Sequence, residues 1–193
     1  MDNSARQSLL DDIAAQVRDC SNCRLCEGRN LAVSGEGPAD APVMFIGEAP
    51  GAAEDRQGRP FVGPAGQLLN QLLLGAGLRR PEVFITNIVK CRPPQNREPR
   101  PEEITACREY LDGQIAILQP PLICLLGRPA TQTLLDPTLA MGRAHGRLFE
   151  REGLSFMPIY HPAAALHNPN MRAPLEQDFA ALATFLQDRK LTP

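Results

Sequence analysis

The sequence contains no tryptophan and only two tyrosines, and it carries no long uninterrupted apolar run. A membrane-spanning helix needs about 20 consecutive apolar residues, and no stretch of this chain approaches that length. The chain opens with MDNSARQSLLDDIAAQVRDC, which is acidic and amphipathic and lacks the apolar block of a secretion signal. We therefore expect a soluble, cytoplasmic protein.

The chain also lacks an excess of charge of one sign. Its 20 Lys and Arg residues nearly balance its 22 Asp and Glu residues, so the formal net charge is −2. A whole-chain sum can hide a basic strip on one face, and only local charge can indicate a nucleic-acid partner. Neither the Walker pattern nor G-x-G-x-x-G occurs, which argues against a phosphate-cradling loop for a nucleotide cofactor.

Short apolar runs alternate with helical patterns along the chain. The runs typical of buried strands are VMFIG, EVFITN, PLICLLG and SFMPIYHP. The stretches around them predict helices, of which the first ends near Cys20, another covers PRPEEITACREYLDGQIAILQ and the last covers PLEQDFAALATFLQDRK. The glycine-rich stretch EAPGAAEDRQGRPFVGP after the first strand predicts a loop. This alternation predicts a mainly parallel sheet with helices on both faces. Residues 1–193 should form one α/β domain, because no linker or repeat divides them.

The predicted strands end in GEAPG, TN, LG and HP. In open α/β sheets ligands bind beyond the carboxyl ends of the strands, so Asn87 and His161 should face one crevice. Each residue also has an ordinary interpretation. Asparagine commonly caps turns, a lone histidine is more often structural, and Gly47 and Gly51 could simply permit positive φ in a turn. Phe61 could fill the core, or its flat face could stack on a base for about 1–3 kcal/mol.

Six cysteines in a reducing compartment indicate metal binding or catalysis, because structural disulfides are disfavoured there. They are Cys20, Cys23, Cys26, Cys91, Cys107 and Cys124. The run CSNCRLC starts with a two-ligand clip, and four thiolates would suit either zinc or an iron–sulfur cluster. Zinc ribbons usually show two such clips, so the single one favours a cluster. Spacing does not decide which cysteine of the run is spare, whereas Cys124 fits a buried apolar position.

Local positive charge is concentrated in VKCRPPQNREPRPEE. The basic residues of this loop are Lys90, Arg92, Arg97 and Arg100. Such a loop can be an ordinary solvated connection. Beside a crevice, it could instead hold the phosphates of a nucleic-acid backbone.

The segments GEAPGAAEDRQGRPFVGPAGQLLN, ITNIVKCRPPQNR and HPAAALHNP follow one another in this order behind CSNCRL. Together they closely resemble the family 4 uracil-DNA glycosylases, the iron–sulfur branch of that superfamily, from about Cys20 to the terminal helix. The resemblance implies a three-layer α/β/α fold with a central, mainly parallel four-stranded sheet. It also implies a monomeric, monofunctional enzyme of base excision repair. Such an enzyme flips uracil out of DNA and hydrolyses its N-glycosidic bond, which leaves an abasic site.

The same resemblance implies a set of functional residues. A [4Fe–4S] cluster would be held by Cys20, Cys23, Cys91 and Cys107. The GEAPG loop would form the uracil pocket with Gly47, Ala49 and Gly51. In that pocket Phe61 would stack on the base, Asn87 would read its edge and His161 would face its O2. Contacts with DNA would come from Arg92, Arg97 and Leu166, and Leu166 would fill the gap that the flipped base leaves.

The sequence departs from the better-known uracil glycosylases at three places. They carry an aspartate where this chain has Ala49, so Glu48 becomes the candidate to orient the attacking water. They block the methyl group of thymine with a tyrosine where this chain has Gly51, so thymine must be excluded by other atoms, such as Glu48 or the loop backbone. His167 stands where arginine is expected.

Two other functions remain compatible with these motifs. A related DNA-binding branch traps uracil covalently through a histidine in a basic insert after the TN strand, but the corresponding stretch IVKCRPPQNREPRPEE has no histidine. A non-enzymatic iron–sulfur or zinc module for electron transfer or partner docking would explain the cysteines. It would leave Asn87 and His161 without a role.

Overall fold

The computed structural model describes residues 1–191, so the last two residues of the predicted domain lie outside the described part. Five strands form one sheet in the order β2-β1-β3-β5-β4. They are β1 Val43–Gly47, β2 Phe84–Asn87, β3 Leu122–Leu126, β4 Phe149–Arg151 and β5 Leu154–Ile159. The α-helices of this part are α1 Asn3–Asp19, α2 Ala52–Gln57, α3 Pro64–Gly75, α4 Pro101–Leu118, α5 Arg128–Leu134, α6 Met141–Ala144, α7 Pro162–His167 and α8 Arg172–Arg189.

The mainly parallel sheet is confirmed. Strands β2, β1, β3 and β5 pair in parallel and correspond to the four predicted runs. The prediction of four strands missed β4, which pairs antiparallel with β5 at the edge of the sheet. This strand has only three residues, and Glu150 and Arg151 are exposed. Because it has no apolar run of its own, only its pairing with β5 identifies it as a strand.

Helices cover both faces of the sheet, as the three-layer prediction requires. Every residue of β1 is buried, which is typical of a parallel strand between two helical layers. Successive side chains point to opposite faces. Phe45 therefore packs in one core with α3 and α8, whereas Met44 and Ile46 pack in the other with α1, α4 and α5.

The glycine-rich segment after β1 contains a helix where the sequence predicted a loop. Helix α2 begins after Gly51 and ends at Gly58, whose φ of 68° is left-handed. Six residues are too few to show a helical repeat of apolar positions. The helix nevertheless positions the cleft, because it turns the chain back toward Phe61 directly beyond the end of β1.

No helix within residues 1–191 combines the length and the apolar content needed to cross a membrane.

Candidate active site

A cleft of about 400 Å³ lies at the carboxyl ends of the parallel strands. The structure brings most of the residues of the predicted pocket to it. The predicted residues that line it are Glu48, Ala49, Gly51, Phe61, Asn87 and His161, and Arg97 and His167 reach its margin. These residues come from segments that are far apart in the sequence, and the parallel sheet gathers them because its strand ends share one edge.

Gly47, which was also predicted for the pocket, does not itself line the cleft but is the register partner of Asn87, which does. A Cβ on Gly47 would lie 2.4 Å from Asn87 Oδ1 and 2.8 Å from Cζ of Phe61. Neither Gly47 nor Gly51 is among the described glycines with positive φ. The glycine at position 47 is therefore required by the close approach of two side chains and not by the backbone conformation of a turn.

Asn87 ends β2 and is 2% exposed. Among residues 1–191, its Oδ1 is buried without a hydrogen-bond partner. Leaving a buried polar atom unpaired costs about 1–3 kcal/mol, so native structures keep few of them. An unpaired amide oxygen in the wall of a cleft is therefore available to a ligand.

His161 forms the N-cap of α7, and its Nδ1 accepts a hydrogen bond from the Ala163 backbone N–H at 3.1 Å. Burial lowers the pKa of His161 from 6.5 to about 4, although the negative charge of Glu54 opposes the shift. The ring is therefore neutral at physiological pH. Since Nδ1 accepts, the proton lies on Nε2. The ring centroids of His161 and Phe61 are 5.6 Å apart.

Glu48 follows β1 directly and is half-buried. Its Oε1 is the other buried polar side-chain atom without a hydrogen-bond partner in the described part of the chain. Burial raises the pKa of this carboxyl group, Glu98 raises it further, and Arg128 opposes both effects. Ala49 supplies no ionisable group beside it, so Glu48 is the carboxylate nearest to the strand end in this loop.

Glu54 lines the same cleft, and the sequence reasoning missed it. Its Oε1 accepts hydrogen bonds from the backbone N–H groups of Val62 and Gly63 at 2.9 and 2.8 Å. Its Oε2 lies 2.8 Å from the position that a Cβ on Gly51 would take. The side chain therefore occupies the space beside Gly51. A helix predicted to begin after Gly51 would have placed Glu54 in its first turn, close to Gly51. The sequence analysis instead predicted a loop for this segment.

The residues predicted to contact DNA lie in different environments. Arg97 forms two hydrogen bonds to the carboxylate of Glu103, at 2.8 and 2.6 Å, so its charge is already paired. Arg92 donates to Asn96 Oδ1 at 2.7 Å. Leu166 projects from α7 with 47% of its surface exposed.

Lys90 does not lie on the basic surface that the sequence suggested. It is 1% exposed, and Nζ donates to Thr86 Oγ1, the Asn87 carbonyl and Gln114 Oε1. Burial lowers its pKa to about 7. Three acceptors compensate for the loss of water around the amine, and one of them is the backbone of Asn87. Lys90 therefore supports the end of β2 from inside the protein.

Five of the six cysteines line one small cavity between the segment after α1, the loop after β2 and helix α4. They are Cys20, Cys23, Cys26, Cys91 and Cys107. Cys124 is buried within β3, as an apolar residue would be. No three His, Cys, Asp or Glu side chains of residues 1–191 are arranged to hold a single metal ion. Several thiols around one cavity suit either a zinc ion or an iron–sulfur cluster.

Donors to sulfur surround the same cavity. Arg29 Nη1 lies 3.1 Å from Cys91 Sγ, and the Lys90 backbone N–H lies 3.3 Å from Cys107 Sγ. Burial raises the pKa of Cys107 to about 11, against the opposing charge of Lys90. A thiolate there needs compensating positive charge, and hydrogen bonds to sulfur are a common feature of iron–sulfur sites. The residues present therefore fit an iron–sulfur cluster.

Comparison with known proteins identifies the family of the chain. Residues 34–188 match the family model described as the Uracil DNA glycosylase superfamily. The chain is 48% identical over 179 residues to the Type-4 uracil-DNA glycosylase of Sulfurisphaera tokodaii, an alignment that covers 88% of this chain and 81% of that one. It is 45% identical over 192 residues to the Type-4 enzyme of Saccharolobus solfataricus, covering 95% and 89%.

A third relative carries the same name. The Type-4 uracil-DNA glycosylase of Thermotoga maritima is 41% identical over 165 residues, which cover 84% of this chain and 86% of that one. The three alignments each cover more than four fifths of this chain. The chain therefore belongs to the type-4 uracil-DNA glycosylases, within the uracil-DNA glycosylase superfamily.

Proposed function

We propose that this uracil-DNA glycosylase takes one uracil out of the DNA stack into the cleft at the sheet edge and hydrolyses its N-glycosidic bond there. The product is an abasic site for base excision repair. The observation that carries this assignment is the unpaired amide of Asn87 in the wall of that cleft, beside the rings of Phe61 and His161. A cytoplasmic monomer acting on uracil-containing DNA is part of the same proposal.

The everted base is held by stacking and by its edge. Taking a base out of the duplex costs a few kcal/mol, and stacking on an aromatic ring returns about 1–3 kcal/mol. Phe61 supplies the ring. The amide of Asn87 can donate to O4 of uracil and accept from N3–H, which satisfies the buried oxygen that has no partner in the described protein.

The amide of Asn87 is not locked in one orientation. Its side chain makes no hydrogen bond to another described residue, so a flipped amide could in principle match cytosine. A site rejects a ligand strongly only when the mismatch leaves buried polar groups unpaired. Discrimination against cytosine therefore does not follow from Asn87 alone, and cytosine-containing DNA is a necessary control.

His161 stabilises the leaving group. Cleavage builds negative charge on uracil and positive charge on the sugar. With Nδ1 engaged by Ala163, the neutral ring presents Nε2–H as its donor, and directing that donor at O2 stabilises the departing anion. A preorganised donor of this kind acts as an oxyanion hole does. Because the ring is already neutral, no proton has to leave it before the reaction.

Glu48 orients the water that attacks the sugar carbon. Its carboxylate oxygen has no partner among the described residues, so it can accept a hydrogen bond from water. This role requires the ionised form, which the raised pKa of Glu48 restricts to higher pH than for an ordinary carboxyl group. Leaving-group stabilisation by His161 carries the larger part of catalysis, since Ala49 offers no second carboxylate.

Glu54 excludes thymine in this proposal. Gly51 has no side chain where the better-known uracil glycosylases carry a tyrosine, and the carboxylate of Glu54 occupies the space beside it. Two backbone N–H groups anchor Glu54 Oε1. The side chain cannot move away without leaving them unpaired, so a methyl group on the base would meet a fixed oxygen atom.

The cysteine cavity would hold a [4Fe–4S] cluster through Cys20, Cys23, Cys91 and Cys107. When bound, the cluster would join the segment after α1, the loop after β2 and helix α4, and so fix the loop that carries Arg92 and Arg97. The choice of Cys23 over Cys26 rests on the resemblance to the family, because both line the cavity.

An oligonucleotide with a single uracil tests the proposal. Incubation with the purified protein followed by alkali should cut the strand at that position, and oligonucleotides with cytosine or thymine there should stay intact. Release of free uracil over many turnovers separates hydrolysis from covalent trapping. If the coloured, cluster-loaded protein leaves the uracil strand intact, the non-enzymatic module is favoured.

A further inference from the structure

We infer that Arg80 is a positioning residue that holds the ring of Phe61 in the orientation that base stacking requires. This inference rests on the proposed function, because it concerns the ring that is proposed to contact uracil. Arg80 lies outside the cleft and does not line it. We infer that it acts on the base through the backbone of Phe61, which it contacts directly.

Phe61 has an unusual backbone conformation. Its φ is 50°, in the left-handed region that bulky residues rarely adopt. Its side chain is nevertheless buried and lies in the wall of the cleft. A conformation of this kind persists only when the surrounding structure holds it in place, and functional sites are where such conformations accumulate.

Arg80 binds the backbone on both sides of this strained residue. Its Nη1 donates to the Phe61 carbonyl at 2.9 Å, and its Nη2 donates to the Pro60 carbonyl. Nη1 also donates to Asn70 Oδ1 at 3.0 Å. The planar guanidinium carries several N–H donors in a fixed fork, whereas a lysine amine cannot reproduce this arrangement.

The segment is also restrained from two other directions. Glu54 accepts from the N–H groups of Val62 and Gly63, the two residues after Phe61. Helix α3 closes the remaining side at Gly66, where a Cβ would lie 1.8 Å from the Phe61 carbonyl oxygen. The carbonyl therefore has little room to turn toward α3, and Arg80 stabilises the position that remains.

Glu36 connects Arg80 to the strand that carries Asn87. Arg80 Nε donates to Glu36 Oε1 at 2.8 Å. The backbone of Glu36 exchanges two hydrogen bonds with Ile85, at 2.9 and 2.8 Å, in the middle of β2. The arginine that holds the stacking ring is thus attached to the same strand as the amide that reads the base edge.

A double-mutant cycle tests the inference on the cluster-loaded protein. Arg80→Lys keeps the positive charge but loses the planar fork of N–H donors that binds the two carbonyls. We expect it to lower the single-turnover rate on uracil-containing DNA by about tenfold. In a Phe61→Ala background, the same change should lower the rate by less than about threefold, because the ring that Arg80 positions is gone. An equal loss in both backgrounds would overturn the inference, since it would show a role that does not pass through the ring.

Arg59 provides a matched control within the chain. It binds the carboxylate of the same Glu36, at 2.8 Å, but does not contact the backbone carbonyls at positions 60 and 61. Arg59→Lys should leave the rate within about twofold of the wild type. If Arg80→Lys does not fold, as judged by melting temperature and cluster absorption, Glu36→Gln removes the charge that anchors Arg80, and the same cycle is run with that variant.

The outcomes separate this inference from the proposed function. If the wild type releases no uracil, the proposed function fails. If the wild type is active and both Arg80→Lys and Glu36→Gln match it, only the role of Arg80 fails.

Discussion

Asn87 Oδ1 lies 2.4 Å from the point where a Cβ on its strand neighbour Gly47 would be. The two residues are partners across β1 and β2, and the amide leans over the glycine into the cleft. A contact of this length cannot exist for a real side chain, so a methyl group at position 47 has to displace the amide, the Phe61 ring or both.

Gly47→Ala should therefore lower the single-turnover rate by at least about tenfold, since small displacements of positioned groups are costly in catalysis. The measurement is uracil release from a single-uracil oligonucleotide at saturating enzyme. Gly75→Ala is the matched control, because a Cβ at position 75 would meet nothing within 4 Å. Equal rates for the Gly47 and Gly75 variants would contradict this account of the cleft.

His161→Ala and Asn87→Ala should each lower the same rate by more than about tenfold, because each removes a proposed contact with the base. Since the pKa of His161 is about 4, the contribution of His161 should be constant from pH 8 to about 5. Unchanged rates in both variants would reject the pocket.

The same pKa has a consequence for stability. In the unfolded chain His161 has its ordinary pKa of 6.5, whereas in the folded chain its pKa is about 4. The unfolded state therefore binds more protons in this window, and stability should fall as pH decreases from 6.5 toward 4. Urea unfolding at several pH values should show a weaker acid dependence for His161→Gln than for the wild type.

Glu48→Gln should remove an acid limb from the pH–rate profile. Burial raises the pKa of Glu48 above its ordinary value of 4.5. As the pH decreases, the rate of the wild type should therefore fall at a higher pH than it would with an exposed carboxyl group. The variant should be slower at neutral pH and flat across that range, because it has no carboxyl group to titrate. An identical acid limb in both proteins would assign the titration to another group.

Glu54→Ala should weaken the exclusion of thymine. Removing the side chain opens the space beside Gly51, so the ratio of the uracil rate to the thymine rate should decrease by about tenfold. Glu54→Gln has nearly the same shape, and its oxygen can still accept from the backbone, so this control should keep the wild-type ratio. If thymine stays fully excluded in Glu54→Ala, the methyl group is rejected elsewhere.

The absorption of the iron–sulfur cluster at about 400 nm should be lost when any one of its four proposed ligands is replaced by alanine. These ligands are Cys20, Cys23, Cys91 and Cys107. Cys26→Ala and Cys124→Ala should keep it, because Cys26 is outside the family pattern and Cys124 is buried in β3. Loss of colour in Cys26→Ala would make that residue a ligand. Stoichiometric zinc in a colourless wild type would replace the cluster altogether.

Much of the fold was accessible from local sequence patterns. The run VMFIG matches the observed strand Val43–Gly47 in full. Helices α1, α4 and α8 also follow the predicted stretches. Long elements are predictable because burial repeats along them with a fixed period. The short elements α2, β4 and α7 have too few residues for such a repeat, and their pairing or capping partners lie in other segments.

The sequence by itself determined the family, the mainly parallel sheet with helices on both faces, and the small set of residues at the strand ends. These depend on motifs and on the rule that parallel strands end at one edge. Only the tertiary structure decided which polar groups meet. It buried Lys90 against the backbone of Asn87 and paired Arg97 with Glu103. It also brought Glu54 and Arg80 to the backbone at and after Phe61. Such contacts join residues far apart in the chain, and the packing of whole helices against the sheet sets their distances.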